Sequence, residues 1–427
     1  MVLKKQLKSM WWKIKAWIVK VYLGDPASKL KIIGVTGTSG KTTTATLLYK
    51  IILGLGYKAG LVGTVEILAN DQVLDVEHKI PTTPDAVTLT KIFRKMVDAG
   101  CEYVVMEVSS HAMVQKRVAG VKFTGGVFTN LSQDHLDYHK DLEDYFLAKK
   151  SFFQMLPPRA FALANVDDAR GQRMLEGIKA NPFSYGFHGT EKDTLFLGEI
   201  KKVDFSGLDL VFNGIPIQSK LRGDFNAYNL LAVWSASSLL GFDMKKVNVI
   251  LENIEPPRGR FETFQSPNGV LVVVDYAHKP DALENIFSAV KKTLPALGGQ
   301  KKNGSSPKAS KIISVFGCGG DRDSSKRPIM GKTGAMHSDI AIFTSDNPRS
   351  EDPAKIIEDM KTTLSPELLA KVKTIPDRRE AILESVRLAE SGDVIVCAGK
   401  GHEDYQIIKG VKTHFDDMEE YKKAYAK

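Results

Sequence analysis

Residues 29–56 run KLKIIGVTGTSGKTTTATLLYKIILGLG. The β-branched run from Ile32 to Val35 predicts a short buried strand. Beyond Lys41 the apolar residues recur at helical spacing until Gly54 and Gly56 stop them. Between the two lies Gly37-Thr38-Ser39-Gly40-Lys41-Thr42-Thr43, and strand, glycine loop and helix in that order are the setting a phosphate loop requires. Glycines there let backbone N–H groups turn toward phosphate oxygens at the helix N-terminus. Lys41 can reach the β and γ phosphates, and the Thr42 hydroxyl suits Mg²⁺. The strict GxxxxGK[ST] spacing is missed because position 35 is Val, with Gly34 and Gly37 supplying the flexibility. A chance glycine turn would lack the flanking strand and helix, so ATP binding is expected.

Similar alternation continues outward from the loop. Strands are expected at 103–108, near 126–129 and at 160–165, separated by helical stretches, which implies a mostly parallel sheet covered by helices. Residues 193–222 carry short runs such as LFLGEI and LDLVFNG and predict a small antiparallel patch. A second α/β series begins after Pro256–Pro257, with strands expected at 270–275, 311–316, 340–344 and 394–398. LGGQKKNGSSPKAS (297–310) reads as a flexible surface loop. The fold class is therefore α/β: a phosphate-loop domain over 29–256 and a Rossmann-like domain over 257–427. In such sheets ligands bind at the carboxyl ends of strands.

Composition agrees. The chain has 427 residues, 43% hydrophobic and 26% charged, which excludes collagen-like, low-complexity and wholly disordered classes. Cys101, Cys318 and Cys397 lie far apart with no zinc spacing, which points to a reducing cytoplasm rather than a secreted disulfide framework. The net charge is +9, yet residues 1–31 hold eight Lys and one Asp, leaving +2 for the other 396. Lys and Arg are not spread over a folded face as nucleic-acid binding would need, so no nucleic-acid partner is expected.

The basic segment 1–28 opens MVLKKQLKSMWWKIKAWIVKVYL, where Lys13, Lys15 and Lys20 interrupt any apolar run long enough to span a bilayer. Placed on a helix, Leu3, Leu7, Met10, Ile14, Trp17 and Val21 form one stripe opposite six Lys. Such a helix over 1–23 either lies in the headgroup region of an anionic membrane, at its inner face, or packs its stripe on protein. Both readings stay open.

The loop TGTSGKTTT resembles that of the Mur ligases, ATP-dependent amide-forming enzymes of peptidoglycan precursor synthesis. The resemblance continues through MEVSSH (106–111), TNLSQDHLDYH (129–139), YFLAKK (145–150), GDFNAYN (223–229), GRFE (259–262), VDYAHKPDAL (274–283), FGCGGDRD (316–323), DNPR (346–349) and GKGHEDYQ (399–406). It covers almost the whole chain from residue 29, in family order, and is most similar to the branch that adds diaminopimelate or lysine to a muramoyl-L-alanyl-D-glutamate acceptor. It implies a middle ATP-binding domain, a C-terminal amino-acid-binding domain, and ATP and Mg²⁺ as cofactors; separately from the resemblance, a cytoplasmic monomer is expected.

The family roles follow position by position. Glu107 ends the apolar run YVVME, where a carboxylate is costly unless it is bonded or metal-bound, and the resemblance makes it a Mg²⁺ ligand partnering Thr42. Within Asp134, His135, Asp137 and His139, the family singles out His135 for a second Mg²⁺ and leaves Asp137 and His139 as support. Lys149 matches a lysine that is carbamylated to serve the metal site, although beside Lys150 it would ordinarily be solvated. Thr82, Thr83, Ser109, Ser110, His111, Gln115 and Arg117 match muramoyl-peptide contacts. Asn226, Asn229 and Arg260 resemble adenine- or phosphate-side contacts, and Asp275 and His278 nucleotide contacts. In this family the DNPR form goes with meso-diaminopimelate, its Arg clamping the distal carboxylate. Arg322, Asp346, Asn347, Arg349, Gly399 and Glu403 match that pocket, and the chemistry agrees: a carboxylate calls for a forked Arg and an amino group for Glu403.

One departure stands out. Family members carry a further N-terminal domain that holds the UDP end of the substrate, whereas this chain reaches its phosphate loop by residue 37. Three classes are therefore carried forward. The first is a diaminopimelate-adding ligase, with cell-wall synthesis as its role. The second is a related ligase with another acceptor (lacking UDP or held at a membrane), with lysine, or of the folylpolyglutamate kind. The third is a non-catalytic nucleotide-binding subunit, against which the presence of Lys41, Glu107, His135 and Lys149 argues.

Overall fold

The computed structural model describes residues 19, 22–76, 82–135, 138–189, 194–204, 206–297 and 310–426, apart from the side chains of 293–297. Most of the predicted N-terminal helix, most of the 297–310 loop and Asp137 lie outside the described residues. The chain divides into two compact units, the first made of Met1–Lys202 and Leu208–Glu255, the second of Pro256–Lys427 together with the short stretch Val203–Gly207. No described helix is long and apolar enough to cross a membrane.

Among the described residues the first unit carries eleven strands: β1 (Lys31–Thr36), β2 (Ala59–Val62), β3 (Ile67–Ala69), β4 (Gln72–Val73), β5 (Tyr103–Glu107), β6 (Phe123–Phe128), β7 (Phe161–Asn165), β8 (Asn181–Gly186), β9 (Phe196–Asp204), β10 (Gly207–Phe212) and β11 (Ile215–Ser219). They form one sheet in the order β11-β10-β9-β8-β7-β6-β1-β5-β2-β3-β4. From β9 to β2 the described pairings are parallel. β2–β3, β3–β4 and β10–β11 are antiparallel. The antiparallel patch expected over 193–222 is thus an extension of the main sheet, with β9 itself parallel to β8.

β1 sits centrally because Ile32, Ile33 and Val35 are buried on both faces, as a β-branched run with no polar alternation requires. The register pairs Val35 with Glu107 and Thr36 with Phe128. The carboxyl ends of β1, β5 and β6 therefore finish side by side, at the switch point where ligands of open α/β sheets bind. Helix α1 (Lys41–Gly54) follows β1 and is buried from Thr42 to Tyr49 and again at Ile51 and Ile52. Later helices are α2 (Ala86–Asp98), α3 (Ser110–Val114), α4 (Leu142–Met155), α5 (Gly171–Leu175), α6 (Asp224–Leu239) and α7 (Met244–Asn253). Asp85, Ser109 and Asp141 cap α2, α3 and α4, each accepting first-turn N–H groups.

In the second unit, β12 (Glu262–Gln265), β13 (Leu271–Asp275), β14 (Ile312–Phe316), β15 (Ile340–Phe343), β16 (Val372–Thr374) and β17 (Val394–Ala398) form a sheet in the order β12-β13-β17-β14-β15-β16. All pairs are parallel except the edge pair β12–β13. A hairpin, β18 (Tyr405–Ile408) with β19 (Val411–His414), stands outside it. Helices α8 (Pro280–Leu297), α9 (Lys326–His337), α10 (Pro353–Lys361), α11 (Pro366–Leu369), α12 (Arg378–Leu388) and α13 (Asp417–Tyr425) complete the unit. Its core gathers Val272, Val274, Ile313, Val315, Ile342 and Ile395 under Ala381, Ile382, Met418 and Tyr421.

Candidate active site

The phosphate loop is built by three chain segments. Gly37 (φ 150°) and Gly40 (φ 81°) hold conformations that side chains disfavour. A Cβ at Gly37 would lie 1.9 Å from Thr129 Oγ1, and one at Gly40 2.6 Å from Asn229 Oδ1. The Ser39 N–H donates to Asn130 Oδ1 at 2.9 Å, the Thr129 hydroxyl donates to Ser39 O at 2.6 Å, and the Thr38 N–H donates to Asn130 O at 2.8 Å. From α6, Asn229 accepts from the Thr44 hydroxyl at 3.2 Å and is itself held by Asn226. Lys41 Nζ donates to the Gly37 and Thr38 carbonyls at 2.9 and 2.8 Å. Thr42 and Thr43 open α1 and are buried.

Lys149 joins the same loop. Its Nζ donates to Gly37 O at 2.7 Å and stands 4.5 Å over the Tyr145 ring. On α4 the buried residues Tyr145, Phe146, Lys149, Phe152 and Phe153 share one face, so the helical period turns Lys149 inward. Its neighbour Lys150 is only partly covered. Tyr145 OH lies 3.3 Å from Thr38 Oγ1, and burial pushes this phenol well above its ordinary pKa, so it stays protonated.

Glu107, at the end of β5, is buried. Thr64 holds both of its oxygens: the backbone N–H donates to Oε1 at 2.7 Å and the hydroxyl to Oε2 at 3.1 Å. The Thr64 and Thr82 hydroxyls are 3.1 Å apart, and the Thr83 hydroxyl donates to Glu107 O at 2.9 Å. The Ser109 N–H donates to Thr83 Oγ1 at 3.0 Å, and Arg117 Nη1 donates to Thr83 O at 2.6 Å. Arg117 also grips Gln115 Oε1 through Nε and Nη2, at 3.0 and 2.7 Å. The expected acceptor residues Thr82, Thr83, Ser109, Gln115 and Arg117 thus form one connected network running to Glu107.

His111 and His135 belong to a ring cluster. Their centroids are 4.8 Å apart, and Tyr138 and His139 lie 4.0 and 5.9 Å from His111. His135, at φ 54°, places Nε2 3.4 Å from Asp134 Oδ2, and its ring is 6.1 Å from that of Tyr145. His135 and Lys149 therefore flank the same tyrosine. His139 is buried between Ser110 Oγ (3.0 Å) and Asp144 Oδ2 (3.2 Å). Among the described residues no group of three or more His, Cys, Asp or Glu forms a metal cage. A Mg²⁺ carried by substrate phosphates needs only one or two protein carboxylates. Glu107 and Thr42 offer a carboxylate and a hydroxyl beyond neighbouring strand ends, so the donor set fits that use.

In the second unit, β13 delivers Asp275. Burial raises its pKa to about 6, opposed by the nearby Arg260 charge and by N–H groups, including that of Phe261 at 2.6 Å. Arg260 lies over the Tyr276 ring, 4.7 Å from its centroid. The His278 and His402 rings pack 4.6 and 4.8 Å from Tyr276. Burial pushes these imidazoles down to about 3 and about 4, so both are neutral. Arg260, Asp275 and His278 are thus brought together.

A second group gathers beyond the ends of β15 and β17. Asn347 Nδ2 donates to Glu403 Oε2 at 2.7 Å, and Asn347 Oδ1 accepts from the Ile407 N–H at 2.8 Å. Asp346 O accepts from Gln406 Nε2 at 2.9 Å, and Gly399 stands beside the Asp346 carboxylate. Arg349, at φ 53°, donates from Nη1 to Gly320 O at 2.7 Å and from its backbone N–H to Ile407 O at 3.0 Å. Arg322 is exposed, and both it and Arg349 border Gly319. Burial raises the Glu403 pKa, as does Asp346; Lys400, Asn347 and Arg349 oppose the shift. Lys400, buried with a lowered pKa, donates to Tyr405 O and lies 3.7 Å from Glu403 Oε2. All six expected residues lie in this neighbourhood.

Sequence reasoning assigned no role to Thr64, Tyr145, Tyr276 or Lys400. Tyr145 had a usable signal, because it shares the inward face of α4 with Lys149. Thr64 had none, being 43 positions from its partner.

A glycine loop at a strand-to-helix turn with a buried lysine bonded to it, and, in the second unit, a cluster of Asn, Glu and Arg side chains, suit an ATP-dependent ligase of acids and amino acids. Residues 35–237 match the Mur ligase middle domain and residues 259–401 the Mur ligase glutamate ligase domain. The chain belongs to the Mur ligase family. Within it, the chain is 47% identical over 408 residues to UDP-N-acetylmuramoyl-L-alanyl-D-glutamate--2,6-diaminopimelate ligase of Bacteroides thetaiotaomicron, covering 96% of this chain and 81% of that one. It is 40% identical over 402 residues to the ligase of the same name from Aquifex aeolicus, covering 93% and 78%. A solved structure of a ligase bearing that name superposes with a TM-score of 0.64 at 32% identity, covering 93% of this chain and 78% of that one. A folylpolyglutamate synthase of Mycobacterium tuberculosis complexed with ADP shares the fold at 18% identity and a TM-score of 0.69, covering 90% and 91%.

Proposed function

We propose that this chain joins an amino group of 2,6-diaminopimelate to the glutamate of UDP-N-acetylmuramoyl-L-alanyl-D-glutamate, using ATP, in peptidoglycan precursor synthesis. A carboxylate is a poor electrophile. One of its oxygens attacks the γ-phosphorus of ATP, ADP leaves, and an acyl phosphate results. The amine then forms a C–N bond at the acyl carbon, the C–O bond to phosphate breaks, and the amine's proton passes to solvent. Such a sequence calls for positioned donors, neutralised phosphate charge and exclusion of water.

The residues divide the work accordingly. Gly37–Thr43 cradle the phosphates, Lys41 neutralises their charge, and Asn229, Arg260, Asp275 and His278 serve the nucleotide. Thr42 and Glu107 would hold Mg²⁺, which supplies charge neutralisation at the phosphate oxygens, with His135 and Lys149 in support. Thr82, Thr83, Ser109, His111, Gln115 and Arg117 receive the muramoyl peptide. Arg322, Asp346, Asn347, Arg349, Gly399 and Glu403 receive the amino acid.

The observation that carries the amino-acid assignment is the contact of Asn347 with Glu403 beside Arg349. The far end of diaminopimelate presents an ammonium and a carboxylate on one carbon and needs both charges answered together, whereas lysine presents an ammonium alone. Phosphate release by purified protein tests the reading. It should require ATP, Mg²⁺, acceptor and diaminopimelate together. ATP hydrolysis indifferent to acceptor and amine, or equal use of lysine, would overturn it.

A further inference from the structure

A fully buried ion pair of the second unit lies next to the amino-acid cluster without being part of it. Arg378, the first residue of α12, and Asp417, the first residue of α13, form a forked ion pair: Nε to Oδ1 and Nη2 to Oδ2, each at 2.7 Å, with both side chains fully buried. The guanidinium does more than face its carboxylate. Nη1 donates to Ser345 O at 3.3 Å, and Nη2 donates to Ala398 O at 3.1 Å and lies 3.4 Å from Cys397 Sγ.

Ser345 immediately precedes Asp346-Asn347-Pro348-Arg349, and Ala398 immediately precedes Gly399-Lys400-Gly401-His402-Glu403. One planar group therefore ties together the roots of both segments that carry the cluster. Stability alone does not explain an ion pair here, because well-packed apolar residues often replace such pairs at no loss. What apolar residues cannot supply is a rigid fork with donors aimed at two carbonyls.

We propose that Arg378, oriented by Asp417, is a positioning residue for the amino-acid pocket, setting the spacing at which Asn347, Arg349 and Glu403 meet the diamino acid. The inference rests on the reading of this cluster as the diaminopimelate site. Arg379 is the built-in control: it bridges the same two helices through the largely buried Glu420 at 2.7 Å, is itself half exposed, and its hydrogen bonds from Nε and Nη2 both go to that carboxylate.

The test compares R378K, the apolar double variant R378M/D417L and R379A by steady-state kinetics and thermal melting. Wild type must first show diaminopimelate-dependent phosphate release; if it does not, the functional reading fails before this one is reached. R378K keeps the charge but loses the fork, and its KM for diaminopimelate should rise about tenfold while its KM for ATP stays within about twofold. The double variant should fold and show the same split. R379A should leave both constants unchanged. An unchanged diaminopimelate KM in a folded R378K or double variant, or an equal rise for ATP, would overturn the proposal.

Discussion

Thr64 grips both carboxylate oxygens of Glu107, one through its backbone N–H and the other through its hydroxyl. The carboxylate is buried at the end of a strand, and the two donors fix which way its remaining lone pairs point. A hydrogen bond to a charged group contributes about 1.5–3 kcal/mol. Thr64→Val should therefore raise the Mg²⁺ concentration for half-maximal turnover about tenfold, whereas Thr64→Ser should not. An unaltered Mg²⁺ titration in T64V would detach Glu107 from the metal.

Lys149 and Lys150 are neighbours with opposite fates. Lys149→Met strips Gly37 O of a buried donor and should lower kcat by about a hundredfold, the scale of losing one donor at the charge-stabilising site. Lys150→Met should stay within about twofold. Equal losses in the two variants, measured by phosphate release on folded protein, would refute the inward role of Lys149.

Arg349 supplies the selectivity test. Arg349→Ala should raise the KM for diaminopimelate by about tenfold to a hundredfold, the scale of a lost charged contact, and leave the weak use of lysine unchanged. A parallel fall with both amino acids would mean that the residue holds the loop rather than the carboxylate.

The second unit should lose stability in acid. His278 and His402 have folded-state pKa values of about 3 and about 4, below the ordinary 6.5. As pH falls, the unfolded chain takes up their protons first, so stability is full above 6.5 and declines toward 4. Asp275, raised from 3.8 to about 6, acts in the opposite sense across that interval, since the folded chain keeps its proton longer. Two imidazoles against one carboxyl leave a net loss. Melting curves should show it, and His278→Gln should flatten the slope. A melting temperature rising as pH falls from 6.5 to 4 would contradict this balance.

The parallel strands bearing the site were legible because their β-branched runs are buried on both faces and end at chemistry-bearing residues, as Tyr103–Glu107 does. Others were not. Ala59–Val62 is four buried residues without alternation, and Asn181–Gly186 carries a proline and an exposed first half, so neither has a strand's usual pattern. Within the site, glycines and charged motifs stood out, but their supports did not. Thr64 and Arg378 act on partners dozens of positions away, and a common threonine or a helix-opening arginine carries no local mark of that duty. Lys149 was half legible: its motif drew notice, yet the run Tyr145-Phe146…Phe152-Phe153 was what told the inward lysine from the outward one.

The phosphate loop is no portable cassette. Threonine 129 fills the space a methyl group at position 37 would need, and asparagine 229 does the same opposite position 40, so three distant stretches are cut to one template. Transplanting GTSGK into another scaffold without residues 129, 130 and 229 would move the letters and leave the mould behind. A side chain added at position 37 or 40 would have to be met by a change at 129 or 229.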